Sequence, residues 1–166
     1  MRHALRASFY TTMVVKENIE KVINEFLETR TDLFLIEFKV DEKFKVTIDI
    51  DGDNGVNLQD CIDLSKSIDA KVDREEQDFS MEVASVGATS PLRFPRQFIK
   101  NKGRRLSVKA HNEVFEGDLT EASEDSFTIE WKAREPKKIG KGKETVEKKQ
   151  VFTYDEVSEA KVIIIF

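Results

Sequence analysis

Four aspartates in the first half of the chain have the spacing of a calcium-binding loop. Asp49, Asp51, Asp53 and Asp60 take positions 1, 3, 5 and 12 of that pattern. The loop needs glycine at position 6 for a sharp turn, and this chain has Asn54 there. Alternation along a strand explains Asp49 and Asp51 equally well as solvent-facing residues. We therefore expect a structural role for these aspartates and no metal site.

Residues 52–55 read GDNG, the GxxG pattern with which KH modules clamp a nucleic-acid backbone. The neighbouring aspartates would face the phosphates and repel them, which argues against such a clamp. The segment also joins a predicted strand to a predicted helix, whereas the KH loop joins two helices. A tight turn between strand and helix is the better interpretation.

Residues that commonly act as nucleophiles or general bases lack evident partners in this sequence. Cys61 falls on the apolar stripe of a predicted helix, His3 lies near the N-terminus and His111 lies beside a predicted hairpin turn. No P-loop, Rossmann or HExxH pattern occurs. We predict no catalytic residue and no cofactor, and the single cysteine excludes an intrachain disulfide.

Lysines and arginines are the remaining candidates for chemistry. Residues 83–112, here called the acid-free segment, contain no Asp or Glu but seven cations. Phe94 and Phe98 lie among them, which suits phosphate contacts with base stacking. For the aromatic positions we favour the alternative that Phe98 and Ile99 fill a junction between two domains. For the cations, contact with RNA or an acidic partner and a merely solvated face both remain open. The candidate binding residues are Arg93, Arg96, Lys100, Lys102, Arg104, Arg105 and Lys109.

A second basic segment covers residues 133–149. Gly140 and Gly142 interrupt it and it has no apolar period, which predicts a mobile basic loop. Its candidate binding residues are Lys137, Lys138, Lys141 and Lys143.

The charge of the chain is distributed unevenly. The 166 residues carry a net charge of -5. Residues 1–95 hold 12 Lys and Arg against 19 Asp and Glu, and residues 96–166 hold 15 against 13. The second half could therefore approach a polyanion that the first half would repel. No run approaches the roughly 18 apolar residues of a membrane span, so we expect no membrane partner.

The first half has the periodicities of an α-β-β-α-β domain, predicted over residues 14–92. Apolar residues recur at helical spacing over 15–27 and 58–72, and they alternate over 34–40, 44–50 and 79–83. A helix between the second and third strands requires parallel pairing in the sheet. Residues 1–13 lack the apolar stretch of a signal peptide and are expected to be a flexible extension. The alternatives are an organellar presequence and a start at Met13.

The second half, residues 93–166, is predicted to be a small closed or nearly closed barrel. Five short β-rich runs occupy 106–110, 114–120, 127–131, 151–154 and 162–166. A single helical turn is expected over 155–160. Gly87, Pro91 and Pro95 mark the bend between the two halves. The fold class is thus α+β, with an N-terminal sandwich domain and a C-terminal barrel.

A set of short motifs is spread over both halves of the chain. Its residues are Ile48, Asp49, Gly55, Val56, Leu58, Asp60, Cys61, Leu64, Ser65, Glu82, Val83, Ser85, Gly87, Pro91, Leu92, Arg93, Asn101, Gly103, Arg104, the Phe115-Glu116-Gly117 hairpin, the KIGKGK loop and the segment 155–166. In these motifs the chain resembles the bacterial ribosome maturation factor RimP family over about residues 14–166. The resemblance implies a C-terminal SH3-like (Sm-like) barrel and a non-enzymatic role in assembly of the small (30S) subunit in the bacterial cytoplasm. It also implies transient binding of a monomer to the immature subunit, through ribosomal RNA and a ribosomal protein near the decoding region.

The signature loop departs from the family pattern. Where the family usually reads close to EVSSPGLDRPLR, this chain reads EVASVGATSPLR. The family's Asp and first Arg are replaced by Thr89 and Ser90, which removes two charged side chains. The retained signature residues, which preserve the bend, are Ser85, Gly87, Pro91 and Leu92.

Two other function classes fit parts of the sequence. One is an Sm-like or SH3-like module that binds RNA or protein in regulation unrelated to ribosome assembly. The other is a metal-dependent hydrolase using Asp49 and Asp51, whose activity would disappear when both are changed.

Overall fold

The computed structural model describes residues 2–75 and 77–164, which form two compact units. The first unit is Met1–Val86 and the second is Gly87–Phe166. The division falls six residues before the predicted boundary between residues 92 and 93. The glycine predicted to mark the bend therefore begins the second unit.

The first unit has the predicted α-β-β-α-β order. Its elements are α1 Arg2–Thr29, β1 Leu33–Val40, β2 Lys45–Gly52, α2 Leu58–Lys71 and β3 Ser80–Ser85. Helix α1 begins at Arg2, so the segment expected to be a flexible extension is the start of this helix.

A three-stranded sheet, in the order β1-β2-β3, forms one layer of the first unit. Strands β1 and β2 are antiparallel, and β2 and β3 are parallel, as the crossover through α2 requires. A bulge between Leu35 and Glu37 shifts the register of β1. Because of this shift, Leu35 and Phe38 both pack towards the core, whereas the sequence predicted unbroken alternation from Phe34 to Val40.

Both helices of the first unit contribute to a single core with the sheet. Ile19 and Ile23 of α1, Leu64 and Ile68 of α2, and Ile48 of β2 are fully buried. Apolar residues at helical spacing on α1 and α2 therefore cover the face of the sheet that strand alternation makes apolar.

The start of α2 is fixed by a capping box. The Asn57 side chain accepts from the backbone N–H of Asp60 at 2.9 Å, and the Asp60 carboxylate accepts from the backbone N–H of Asn57 at 3.0 Å. Leu58, predicted to lie on the buried stripe, is 77% exposed at this helix start. The prediction of a buried Leu58 is therefore wrong, and the buried residues of α2 begin at Asp60.

The second unit consists of one short helix and five antiparallel strands. Its elements are α3 Pro95–Lys100, β4 Arg105–Ala110, β5 Glu113–Ala122, β6 Ser126–Pro136, β7 Lys143–Thr153, a 3-10 turn Tyr154–Glu156 and β8 Val157–Val162. The sheet order is β7-β6-β5-β4-β8, so the described pairings leave β7 and β8 as its two edges and form an open sheet. The fold is therefore α+β with two sheets.

Three sequence predictions for the second unit are wrong in detail. The turn before the last strand covers three residues and not 155–160, and β8 occupies 157–162 and not 162–166. Residues 165 and 166 lie outside the described part of the chain. The predicted mobile loop over 133–149 is largely strand, because β6 and β7 pair continuously from Ser126–Thr153 to Pro136–Lys143.

Aromatic rings fill the core of the second unit. Phe98 stacks on Phe127 with ring centroids 4.6 Å apart and meets Tyr154 edge-on at 5.0 Å. Phe98 therefore belongs to the core of its own unit, which corrects the prediction that it fills a junction between domains, while Ile99 is 44% exposed. The Tyr154 hydroxyl donates to the carbonyl of Ser123 at 2.5 Å and so ties the 3-10 turn to the β5–β6 turn.

Strands β5 and β6 approach each other closely at Gly117. A Cβ atom at this position would lie 2.8 Å from the carbonyl oxygen of Glu130. The missing side chain therefore permits the close approach at the point where β6 joins β5. Among the helices of the described residues, none has both the length and the apolar composition needed to cross a membrane.

Candidate nucleic-acid interface

The first half of the acid-free segment is organised by a buried amide. The Gln97 side chain, 2% exposed, accepts from the backbone N–H of Arg93 at 2.7 Å and of Phe94 at 3.2 Å. The Asn101 amide donates to the Gln97 carbonyl at 2.7 Å. These bonds fix the entry and exit of α3, from which Arg96 and Lys100 project. The sequence analysis missed Gln97, although a Gln three residues after a helix N-cap is a capping signal.

Three cations of the acid-free segment have acidic neighbours on adjacent strands. Distances between side-chain nitrogen and carboxylate oxygen are 3.5 Å for Lys102–Glu121, 3.7 Å for Arg105–Asp118 and 3.5 Å for Lys109–Glu159. Exposed pairs of this kind add little stability, but they lower the positive potential that a polyanion would meet. The segment thus contains no acid in its own sequence, but acids from other parts of the chain lie beside its cations.

Glu159 is the most strongly compensated acid of this group. Partial desolvation acts to raise its pKa, but Lys109 and Lys161, at 3.5 and 3.4 Å, outweigh this effect and lower the pKa below its ordinary value. The carboxylate therefore stays charged and screens Lys109.

The other cations of the acid-free segment are not equivalent. Arg93, Arg96 and Lys100 interact with other residues of the chain. Arg104 is exposed and, within residues 2–75 and 77–164, forms no ion pair. Arg104 is therefore the strongest candidate of this segment for contact with an external anion.

The distal parts of β6 and β7 form a two-stranded ribbon, here called the arm (residues 131–148). Strand β6 pairs with β5 only as far as Glu130, and from Trp131 to Pro136 its described partner is β7 alone. Six residues of strand span about 20 Å at roughly 3.3 Å each. The segment predicted as a mobile loop is therefore an extended hairpin whose turn is limited to residues 137–142.

Four lysines occupy the tip of the arm, defined here as residues 137–143. All four are exposed, and none forms an ion pair with any residue that the structure describes. Gly140 and Gly142 have φ of 89° and 104°, in the left-handed region, and the backbone N–H of Lys137 donates to the Gly142 carbonyl at 3.1 Å. Ile139 is 91% exposed between these glycines and lysines. The tip lysines are Lys137, Lys138, Lys141 and Lys143.

Several cations on the strands of the arm and at its base have acidic or polar partners, unlike those of the tip. The Lys148 ammonium pairs with Glu135, and the Lys149 ammonium lies 3.9 Å from the Glu130 carboxylate. The Arg134 guanidinium donates to the Thr145 hydroxyl at 3.4 Å. Lys132 is exposed and has no ion pair within the part of the chain that the structure describes, but the four lysines of the tip form the larger group of this kind.

A groove of about 560 Å³ lies at the base of the arm. Trp131 contributes to it, together with Arg105 and Lys149 at its cationic sides and Asp118 and Glu130 between them. Residues at 105, 118, 130 and 149 are direct cross-strand partners on four successive strands. In this row two acids lie between two cations, so positive and negative charges are mixed in the groove. The groove is therefore a weaker site for an anion than the tip.

The retained signature residues lie in the connection between the two units. Ser85 ends β3, and the backbone N–H of Ser90 donates to the carbonyl of Gly87 at 3.0 Å in the following turn. The Leu92 N–H donates to Ala160 at 2.8 Å, which attaches the connection to β8. Pro91, between them, is exposed.

The aspartates with calcium-loop spacing have structural partners. Asp51 is 5% exposed, against the prediction of a solvent-facing residue, and its carboxylate accepts from the Gly52 N–H at 2.8 Å. Asp60 caps α2 and lies 2.9 Å from the Arg30 guanidinium. Within the described residues there is no group of three or more acidic, His or Cys side chains placed to hold a metal ion.

The other chemical candidates of the first unit also have structural environments. The Gly55 N–H donates to Gly52 at 3.0 Å, so residues 52–55 form the predicted turn between strand and helix. Cys61 is buried, and burial together with the nearby Asp60 charge raises the pKa of its thiol. A raised pKa disfavours the thiolate that a nucleophile requires.

The fold and the surface together define a two-unit α+β protein whose antiparallel second unit carries a basic arm. Residues 19–89 match the family model described as the RimP N-terminal domain. The chain is 48% identical to the ribosome maturation factor RimP of Flavobacterium psychrophilum, over 93% of this chain and 100% of that protein. Identity is 47% to the factor of Christiangramia forsetii, over 92% and 100%, and 31% to that of Porphyromonas gingivalis, over 71% and 78%. The chain belongs to the ribosome maturation factor RimP family.

Proposed function

We propose that this protein promotes assembly of the small (30S) ribosomal subunit by binding transiently to the immature subunit. The observation that carries this proposal is the 48% identity to a ribosome maturation factor over that protein's whole length. The exposed basic tip and Arg104 support it, because a factor that approaches ribosomal RNA needs cations that the protein's own acids leave available.

The proposed contact surface lies on the second unit and its connection. It uses ribosomal RNA and a ribosomal protein near the decoding region as partners. Because uncharged Thr89 and Ser90 stand where the family pattern has charged side chains, we assign the main charge contacts to the cations and not to the signature loop. The proposed contact residues are Arg93, Arg96, Lys100, Lys102, Arg104, Arg105, Lys109, Lys137, Lys138, Lys141 and Lys143.

We propose a non-enzymatic, monomeric factor of the bacterial cytoplasm that needs no cofactor. Structural partners of Asp51 and Asp60, and the raised pKa of Cys61, support a binding role over a catalytic one. For the second unit we propose an SH3-like barrel. The strand order β7-β6-β5-β4-β8 and the 3-10 turn between its two edge strands support this assignment.

A ribosome profile of a strain lacking this chain tests the proposed function. We expect free small subunits to accumulate with unprocessed ribosomal RNA, and the purified protein to cosediment with small subunits at low salt. A normal profile, together with a tight RNA or protein ligand outside the subunit, would instead favour a regulatory SH3-like module.

A further inference from the structure

The tip of the arm differs electrostatically from the paired cations of the acid-free segment. Lys102, Arg105 and Lys109 each have an acidic side chain within 3.7 Å. By contrast, residues 136–143 contain four lysines and no acid, and no ion pair involves them in the described part of the chain. The tip therefore concentrates exposed positive charge at the end of a ribbon about 20 Å long.

We propose that the tip of the arm binds the phosphate backbone of small-subunit ribosomal RNA. This inference rests on the proposed function and assigns its RNA contact to four lysines, Lys137, Lys138, Lys141 and Lys143. The strands behind them position the tip, since the backbone pairing continues to Pro136 and Lys143.

The composition of the tip favours RNA over an acidic protein as the occupant. Arginine binds carboxylate and phosphate alike through its forked guanidinium, whereas lysine binds phosphate as a point charge that does not fix one geometry. Several such point charges close together suit the repeated phosphates of an RNA backbone. The tip contains lysines and no arginine. A two-stranded ribbon is also narrow enough to enter a nucleic-acid groove, and the minor groove of A-form RNA is wide and shallow.

Ile139 gives the tip a second mode of contact. Its side chain is 91% exposed, and it lies between Lys138 and Gly140 in the turn. Lysines that engage phosphates on either side would bring this apolar side chain against a ribose or an unstacked base. Its contribution should not depend on salt.

The inference is tested with a tip variant in which Lys137, Lys138, Lys141 and Lys143 are all changed to Gln. Binding of fluorescently labelled small-subunit ribosomal RNA is measured by anisotropy between about 50 and 200 mM salt. Four neutralised phosphates account for a roughly hundredfold loss of affinity over this range, so the salt slope of the tip variant should be smaller than that of wild type by about 3–4. Ile139→Ser should weaken binding without changing the salt slope.

A matched control removes the same charge from the first unit. Lys16, Lys21, Lys43 and Lys66 are exposed and form no ion pair among the described residues, and their change to Gln should leave affinity and slope close to wild type. Equal melting temperatures for all variants show that folding is retained.

Four outcomes distinguish the inference from the proposed function. A weakened affinity and a flattened slope in the tip variant alone support the inference. Equal binding by wild type and tip variant, or no RNA binding by wild type, overturns it. A tip variant that binds free RNA normally but no longer cosediments with small subunits also overturns it, because the tip would then contact a ribosomal protein. If wild type fails to cosediment while RNA binding still depends on the tip, the proposed function is rejected and the inference stands.

Discussion

At the scale of single residues, buried polar side chains determine how the basic surface is held. Gln97 satisfies two backbone N–H groups before α3, and its own carbonyl accepts from Asn101. A typical intramolecular hydrogen bond contributes about 0.5–1.5 kcal/mol to stability, so the two bonds together contribute about 1–3 kcal/mol. Arg96 and Lys100 therefore depend on an uncharged neighbour for their positions.

Gln97→Ala is expected to lower the free energy of unfolding by about 1–3 kcal/mol, since the Arg93 and Phe94 N–H groups lose their acceptor. Urea denaturation measures this change. Gln150→Ala, at an exposed position of β7, is the control and should stay within about 0.5 kcal/mol of wild type. A Gln97 variant as stable as the Gln150 variant would contradict the structural role.

At the scale of elements, pairing of neighbouring strands decides which charges remain available. Strand β4 lies between β5 and β8, and each neighbour supplies acids to the cations of β4. Strand β7 has only β6 as a described neighbour, so the arm beyond Glu130 has no third strand to supply further acids.

Part of the stability of the β4–β8 pairing should depend on the ionised form of Glu159. The pKa of Glu159 is lowered in the folded protein, so its stabilising effect is complete above its ordinary value of 4.5 and is lost as pH falls through the lowered value. Glu159→Gln should reduce the melting temperature at pH 7, and its difference from wild type should narrow towards about pH 3. Scanning calorimetry at both pH values measures this.

Glu116→Gln, at an exposed position of β5, serves as the control for Glu159 and should show a smaller effect at neutral pH. If the Glu159 variant differs from wild type by the same amount at both pH values, then the pairing with Lys109 and Lys161 is not the source of its effect.

The arm shows which elements sequence periodicity cannot reveal. Strands β1, β2 and β3 have one apolar face, so alternation predicted them. Beyond Trp131 the arm is mostly exposed on both faces, and its strand pairing is maintained by backbone hydrogen bonds and side-chain contacts such as Lys148–Glu135. Without an apolar period and with two glycines in the turn, the same residues predicted a loop.

At the scale of the whole molecule, the chain has two separate cores. Ile19, Ile48 and Leu64 belong to the first, and Phe98 and Phe127 to the second. Each unit buries its own apolar residues, which is the usual condition for a domain that can fold alone.

The fragment 87–166 is therefore expected to fold without the first unit. It should give a cooperative thermal transition and dispersed amide resonances, because its aromatic core is complete within these residues. Phe98→Ala in the fragment should abolish this transition or lower it strongly, since truncating a buried Phe costs about 3–5 kcal/mol. A fragment that melts without cooperativity would contradict the independence of the second core.

The sequence by itself determined the α-β-β-α-β order of the first unit, the approximate positions of β4 and β5 in the second and the resemblance to the family, because these depend on local periodicity and local motifs. Only the tertiary structure decided which cations remain available. Asp118 and Glu121 lie on β5 and Glu159 lies on β8, outside residues 83–112 in the sequence. Strand pairing brings these acids to Arg105, Lys102 and Lys109, respectively. Coulomb interactions act over distance in space and not along the sequence, so a segment without acids can still be compensated while the tip of the arm is not.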